Sequence, residues 1–157
     1  MGVSGSGKTT IGRALADELG WTFLDADDFH PQANVAKMAA GAALNDEDRW
    51  PWLDRLADEL RALDEHGRHV VLACSALKQA YRDRLGRAGE LRWVYLKGDP
   101  QTIEPRLATR TGHYMPLSLL ASQFAALEEP GEAIVVDIRK SSAAQVQQIA
   151  ACLRSTV

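Results

Sequence analysis

The opening stretch MGVSGSGKTT constrains the fold of this 157-residue chain more than any other feature. Gly2, Gly7, Lys8 and Thr9 fit the pattern G-x-x-x-x-G-K-[ST], which is typical of a loop that leads into a helix. In such a loop the backbone N–H groups surround nucleotide phosphates, the lysine reaches the outer phosphates and the hydroxyl binds magnesium. The stretch therefore predicts an ATP- or GTP-binding loop made of Gly2, Ser4, Gly5, Ser6, Gly7, Lys8, Thr9 and Thr10.

Only Met1 precedes this loop in the sequence, although the motif normally follows a buried strand. An apolar strand with about four large buried residues contributes roughly 6–12 kcal/mol to stability. That amount is comparable with the stability of an entire domain, about 5–15 kcal/mol. We therefore expect Met1 to be an internal methionine of a longer native chain, or the present sequence to begin late.

The composition is typical of a soluble globular protein with one domain, since 46% of the residues are hydrophobic and 25% are charged. A net charge of -3 provides no basic surface for nucleic acid, although local arginines can still bind an anionic substrate. The sequence predicts neither a signal peptide nor an apolar run of membrane-spanning length. Cys74 and Cys152 lie far apart in apolar runs, which favours reduced thiols and a cytosolic, cytoplasmic location.

Strand-like and helix-like stretches alternate along the chain. Residues 21–24 and the stretches HVVLACS, LRWVYLKG and AIVVDI are predicted strands, and amphipathic stretches with helical spacing lie between them. The helix after the phosphate loop is predicted to end at Gly20. This alternation predicts an α/β fold with a parallel sheet, whose ligands bind at the carboxyl ends of the strands.

Two aspartates follow the first predicted strand, at the sheet edge where the phosphate loop is expected. Asp25 and Asp27 point to the same side if the strand continues through them. One carboxylate would then hold a magnesium-bound water, and the other would accept a hydrogen bond from a substrate hydroxyl. Acids at this position also cap helices or stay solvated in turns, and we expect Asp28 to be the capping residue.

Basic and aromatic residues further along the chain suit an anionic substrate. Arg49 follows the acidic run NDED, where it either binds a substrate carboxylate or forms a surface ion pair with those acids. Lys78, Tyr81 and Arg82 recur at helical spacing, and form either a substrate-facing surface or a solvated basic one. His30 is either a substrate contact or a structural residue of a turn.

The stretch RLATRTGHYMP predicts a mobile lid over about residues 110–117. Arg106 and Arg110 stand one helical turn apart before a glycine-containing segment, which suits a lid that carries arginines onto ATP. In the alternative interpretation, Arg106 pairs with nearby Glu104 or another acid. His113 lacks metal-ligand spacing to Cys or His, so no zinc site is predicted.

Taken together, these stretches resemble the gluconokinase family, relatives of the shikimate kinases within the nucleoside-monophosphate-kinase-like P-loop fold. The resemblance covers nearly the whole chain, and the stretches DADDFHP, NDEDRWPWL and CSALK are more specific than the phosphate loop. It implies one kinase domain over residues 1–157, with substrate-binding helices at about 31–66 and a parallel sheet lacking its first strand. It also implies ATP- and Mg²⁺-dependent phosphorylation of D-gluconate to 6-phosphogluconate, and a homodimer.

The resemblance implies a role for individual residues. Asp25 and Thr9 would bind magnesium, and Asp27 would meet the accepting hydroxyl. Arg49 resembles the arginine that binds the substrate carboxylate, and Arg106 the arginine that lies against adenine. The other residues that match the family pattern are the phosphoryl-neutralising Lys8, the lid residue Arg110, and Lys78 and Arg82 near the substrate.

Some features depart from the family pattern. The stretch IRKSS replaces an Asp-Gln-Pro-like sequence, so the adenine contacts near residues 137–143 stay open. The strand VVLACS has no terminal aspartate, so magnesium is expected to rely on Thr9, Asp25, water and phosphates. Two alternatives remain: a kinase for another small hydroxy acid such as shikimate, and a non-catalytic nucleotide-binding protein.

Overall fold

The computed structural model describes residues 1–109 and 119–155, and within them helices alternate with parallel strands, as the sequence predicts. The strands are β1 (Thr22–Asp25), β2 (Val70–Ala73), β3 (Val94–Lys97) and β4 (Ile134–Asp137). The helices are α1 (Lys8–Leu19), α2 (Gln32–Ala39), α3 (Asp46–Glu65), α4 (Gln79–Leu85), α5 (Pro100–Ala108), α6 (Leu120–Ala126) and α7 (Ser142–Arg154).

The strands form two parallel pairs, β1 with β2 and β3 with β4. Met1 and Gly2 lie between these pairs. The amino group of Met1 donates to the Val94 carbonyl, the Leu96 N–H donates to the Met1 carbonyl at 3.0 Å, and the Gly2 N–H donates to the Ser75 carbonyl at 3.2 Å. In the described residues no strand precedes the phosphate loop.

An apolar-lined groove of about 470 Å³ extends from Met1 between β2 and β3. Its walls include the side chains of Val71 and Val94, together with Ile11 and Leu15 of α1. Paired strands of a sheet lie about 4.8 Å apart. The groove keeps β2 and β3 apart, so the sheet consists of two separate pairs of strands. The phosphate loop therefore begins next to the gap between β2 and β3.

Helices on the two halves of the sheet supply the hydrophobic core. One cluster joins Leu15 of α1 and Ile149 of α7 to Val136 of β4. A second cluster is built mainly from α3 and α4, and contains the buried residues Leu56 and Leu85. This packing fixes the amino end of α1 and the carboxyl ends of the strands, where the candidate site lies.

Helix-capping residues set several helix boundaries. Gly20 ends α1 in the left-handed region at φ 68°, as the sequence predicts. Asn45 begins α3 with a capping box, in which its side chain and that of Asp48 each accept a backbone N–H at 2.8 Å. Pro105 lies inside α5, which begins at Pro100. Within residues 1–109 and 119–155, no helix has the length and apolar character needed to cross a membrane.

Candidate active site

A cleft of about 480 Å³ opens where the phosphate loop meets the carboxyl ends of β1 and β2. The phosphate loop, α3, α5 and the connection from β4 to α7 all contribute to its walls. The structure therefore brings together residues that the sequence separates widely. The predicted site residues that line this cleft are Ser4, Gly5, Ser6, Gly7, Lys8, Thr9, Thr10, Asp25, Asp27, His30, Arg49 and Arg106.

The phosphate loop has the backbone geometry that its glycines predict. Gly5 and Gly7 adopt positive φ angles of 79° and 98°, which non-glycine residues rarely adopt. A Cβ on Gly5 would lie 2.9 Å from Cγ of Leu107, so the loop packs tightly on α5. The Lys8 ammonium donates to the Val3 carbonyl at 3.0 Å, which folds the lysine back along the loop. Helix α1 begins at Lys8, so its N-terminal N–H groups add to an anion-binding site.

Thr9 and Asp25 form a direct contact beside the phosphate loop. The Thr9 hydroxyl donates to Oδ2 of Asp25 at 2.7 Å, and Oδ1 of Asp25 accepts the Asp27 N–H at 3.1 Å. A hydroxyl and a carboxylate placed together next to a phosphate loop are the oxygen ligands that Mg²⁺ prefers. The two residues predicted to bind magnesium therefore fit that ion.

The chain bends directly after Asp25, because β1 ends there and a 3-10 turn covers Ala26–Phe29. The prediction that Asp28 is a helix-capping residue is wrong, since the side chain of Asp25 caps the turn and the next helix, α2, begins after Pro31 without a side-chain cap. Asp25 and Asp27 consequently belong to different elements and do not continue one strand. The turn still leaves Asp27 in the cleft, with 46% of its side chain exposed.

His30 is held rigidly at the edge of the cleft. Its ring stacks on Trp52, with the ring centroids 4.1 Å apart and the planes 17° from parallel. The Trp52 indole N–H donates to the Ala26 carbonyl at 2.8 Å, which ties the stack to the turn carrying Asp27. Burial lowers the pKa of His30 to about 4, so the imidazole is neutral at neutral pH. His30 therefore lines the cleft and is packed on Trp52, and a substrate contact for it stays a prediction.

Arg49 belongs to a network of polar side chains on α3 and α4. Its Nη1 donates to the Tyr81 hydroxyl at 3.2 Å, and that hydroxyl donates to Oδ1 of Asp46. The Lys78 ammonium donates to the same carboxylate at 2.8 Å, and this bond lowers the pKa of Asp46. Two acids of the run NDED form ion pairs with lysines, Asp46 with Lys78 and Asp48 with Lys37. Arg49 lines the cleft. Helical spacing grouped Tyr81 with Lys78 in the sequence, but it did not reveal that Tyr81 links Arg49 to Asp46.

The structure does not bring Arg82 into the cleft. The residue is 3% exposed, and its Nη1 donates to the carbonyls of Ala76 and Leu77 at 2.9 and 3.1 Å. Ala76 has a positive φ of 43°, so the guanidinium secures an uncommon turn after β2. Burial lowers the pKa of Arg82. Its arrangement is that of a structural residue beneath the cleft.

The opposite end of the cleft contains Arg106. Its Nη2 donates to the Ile138 carbonyl at 2.8 Å, which joins α5 to the connection between β4 and α7. Lys140 and Gln145 line the same end of the cleft, in the region where the sequence left the adenine contacts open. Arg110 and the predicted lid over 110–117 lie outside the described residues.

Two further observations complete the site. The Ser4 N–H donates to Oε1 of Gln123 at 2.6 Å, a contact that sequence reasoning missed because 119 positions separate the two residues. A Cβ on Gly2 would lie 2.9 Å from the Leu96 carbonyl oxygen, so this glycine permits the loop to approach β3. Among the described residues, no three His, Cys, Asp or Glu side chains form a group that could hold a metal ion.

The fold and this site define a phosphate-loop kinase, and the sequence model of the family described as "AAA domain" matches residues 1–130. A probable gluconokinase from Xenopus tropicalis is 44% identical, over 95% of this chain and 88% of that protein. The chain belongs to the gluconokinase family. The thermoresistant gluconokinase of Escherichia coli is 46% identical, over 88% of this chain and 82% of its own length.

A solved gluconokinase structure from Sinorhizobium meliloti shares this fold, with a TM-score of 0.88 and 40% sequence identity. The similarity covers 99% of this chain and 90% of the other. The resemblance identified from the sequence motifs is therefore confirmed at the level of both sequence and fold.

Proposed function

We propose that this protein transfers the γ-phosphoryl group of ATP to D-gluconate and forms 6-phospho-D-gluconate. The observation that supports this most directly is the exposed carboxylate of Asp27 in the same cleft as the phosphate loop and the Thr9–Asp25 pair. A carboxylate that can orient a hydroxyl, in the same cleft as a phosphate-binding loop, supports phosphoryl transfer, which needs both groups. Membership of the gluconokinase family supports gluconate as the acceptor.

The phosphate end of the cleft would bind and neutralise the nucleotide. The loop N–H groups and Lys8 would hold the outer phosphates, and Lys8 would leave the Val3 carbonyl to reach them. Thr9 and Asp25 would hold Mg²⁺, Asp25 directly or through water. When bound, magnesium would supply positive charge that offsets the negative charge of the phosphates during transfer.

The acceptor end would bind and orient the sugar acid. Arg49 would bind the gluconate carboxylate, because its guanidinium lines the cleft and can donate two parallel hydrogen bonds. Asp27 would accept a hydrogen bond from the reacting hydroxyl, and neutral His30 would border the sugar chain beside it. Lys78 would hold the Asp46 carboxylate in place by its hydrogen bond. We assign Arg82 a structural role, in which it stabilises the turn after β2.

The transfer step itself is an in-line displacement. The acceptor oxygen forms a bond to the γ-phosphorus as the bond from that phosphorus to the bridging oxygen of ADP breaks. The proton of the hydroxyl passes to Asp27. Arg106 would contact the nucleotide at the other end of the cleft, and Arg110 would add positive charge from the lid. A homodimer is a further part of the proposal that follows from the family resemblance.

The experiment that tests this function is ADP formation with a panel of acceptor acids that includes gluconate and shikimate. We expect gluconate to give the highest kcat/KM, and Asp27→Asn to lower kcat by at least about 100-fold through loss of general-base catalysis. Asp28→Asn is the matched control, because it removes a neighbouring acid from the same turn. Preference for shikimate would support the alternative acceptor, and ATP binding without turnover would support a non-catalytic protein.

A further inference from the structure

The phosphate loop is tied to a helix far away in the sequence. Oε1 of Gln123 accepts the Ser4 N–H at 2.6 Å, and Ser4 is a buried residue. A buried backbone N–H is almost always paired, because an unpaired one costs the free energy of a lost hydrogen bond. Gln123 also lines the cleft that contains the phosphate loop. The side chain therefore supports the loop from the same cleft in which the nucleotide is expected.

Gln123 is presented from a fixed part of the molecule. It lies on α6 (Leu120–Ala126), whose first residue Leu120 is buried in the main core cluster. Just beyond the helix, the Glu128 N–H donates to the Leu77 carbonyl at 2.9 Å, and Oε2 of Glu128 accepts the Gln79 N–H at 2.6 Å. Because both ends of α6 are held, the position of Gln123 relative to the loop is defined.

The hydrogen bond between Ser4 and Gln123 fixes the backbone at the start of the phosphate loop, just before Gly5. Gly5 has a positive φ of 79°, a conformation that non-glycine residues rarely adopt. The Ser4 N–H belongs to the peptide between Val3 and Ser4, so the hydrogen bond to Gln123 holds the peptide that precedes the Ser4–Gly5 peptide. The carbonyl of the same Val3–Ser4 peptide accepts the Lys8 ammonium at 3.0 Å. If that bond is lost, the N–H groups of the loop lose part of their common orientation toward the phosphates, and electrostatic preorganisation is reduced.

We propose that Gln123 is a positioning residue for nucleotide phosphates, which acts by fixing the Ser4 peptide at the entrance of the phosphate loop. This inference rests on the proposed function only for the identity of the acceptor. It adds that the phosphate loop needs the Gln123 amide of α6 to keep the orientation that binds the outer phosphates. It also places the amide of Gln123 near those phosphates when the nucleotide is bound.

Two variants of Gln123 separate these two parts of the proposal. Gln123→Met has a similar length but no strong acceptor, so it removes the bond to Ser4. Gln123→Glu keeps an acceptor oxygen and adds a negative charge. Ser122→Ala is the matched control, because the Ser122 hydroxyl donates to the Leu119 carbonyl at 2.7 Å within the same helix segment.

The measurements are calorimetric affinity for a non-hydrolysable ATP analogue, KM for gluconate, and the melting temperature without nucleotide. For Gln123→Met we expect about 3- to 10-fold weaker analogue binding, from the net value of one hydrogen bond, with an unchanged KM for gluconate. For Gln123→Glu we expect an unchanged melting temperature and a loss of affinity that becomes smaller as salt is raised. Ser122→Ala should match the wild type.

Unchanged analogue affinity in Gln123→Met would overturn the proposal. An equal loss for ATP analogue and gluconate, together with a lower melting temperature, would also overturn it, because that pattern indicates a purely structural role. A loss in Gln123→Glu that does not respond to salt would refute the placement beside the phosphates. Analogue binding needs no acceptor, so these outcomes stay distinct from a failure of the wild type to phosphorylate gluconate.

Discussion

Arg49 and Tyr81 are joined by a hydrogen bond of 3.2 Å from the guanidinium to the phenol oxygen. The same hydroxyl donates to Asp46, and burial raises the pKa of Tyr81, so it stays protonated as a donor at neutral pH. The centre of the Arg49 guanidinium also lies 5.3 Å from the centroid of the tyrosine ring. Tyr81 thus orients the arginine that we assign to the substrate carboxylate.

The first prediction concerns Tyr81→Phe, which keeps the ring and removes the hydroxyl. We expect the KM for gluconate to rise about 3- to 10-fold, since one hydrogen bond that orients Arg49 is lost. The KM for ATP should not change, because we assign Arg49 to the acceptor and not to the nucleotide. Initial-rate kinetics with each substrate varied in turn would test this.

The control for this substitution is Tyr95→Phe, which removes the hydroxyl of another buried tyrosine. That hydroxyl contacts Glu129 at 3.4 Å, away from the residues of the cleft. We expect both KM values of this control to match the wild type. A rise in the KM for ATP equal to that for gluconate in Tyr81→Phe would contradict the assignment.

The second prediction concerns the contact between Thr9 and Asp25. Asp25→Asn removes the negative charge but keeps an oxygen that can accept from Thr9, and we expect about 10- to 100-fold lower activity. The variant should also require more Mg²⁺ for half-maximal rate, because the ion loses an anionic ligand or an anionic partner of its bound water. A magnesium titration of the initial rate is the measurement. An unaltered titration midpoint would place magnesium elsewhere.

Local sequence patterns were sufficient to predict the parts of this molecule that depend on near neighbours. The phosphate loop and the helix that ends at Gly20 follow from glycine positions and apolar spacing, and both are found in the structure. The role of Arg82 could not be predicted in this way. Helical spacing places it near Lys78, but its burial depends on the carbonyls of the preceding turn and on packing with Met1.

Long-range contacts explain what else the sequence did not reveal. Gln123 lies in a stretch with an ordinary helical pattern, and its importance arises only because folding brings it to Ser4. Asp25 and Asp27 do not continue one strand, because the Asp25 carboxylate caps a 3-10 turn at the end of β1. Asp25 and Asp27 nevertheless both line the cleft, although a turn brings them there and not a continued strand.

The third prediction concerns pH and His30. Burial lowers the pKa of this histidine from 6.5 to about 4 in the folded protein. Between these values the unfolded chain binds a proton that the folded protein does not, so the free energy of unfolding falls as pH is lowered. His30→Phe keeps the ring stacked on Trp52 and cannot titrate. We therefore expect its stability to depend less on pH between about 4 and 6.5 than that of the wild type.

Chemical unfolding at several pH values would measure this difference. The amino group of Met1, whose pKa burial lowers to about 5, contributes in the same direction but is present in both proteins. Identical slopes for His30→Phe and the wild type would contradict the burial argument.

The fourth prediction concerns the groove between β2 and β3. A segment of four apolar residues fused before Met1 can enter this groove, pair with both strands, and replace the buried amino group by a neutral peptide. Burial of such side chains contributes roughly 6–12 kcal/mol, and ordering the backbone offsets about 4–8 kcal/mol of this. We expect a higher melting temperature by circular dichroism for this extension. A Gly-Ser extension of equal length, which cannot fill an apolar groove, should leave the melting temperature unchanged, and equal temperatures for both would show that the groove does not accept a strand.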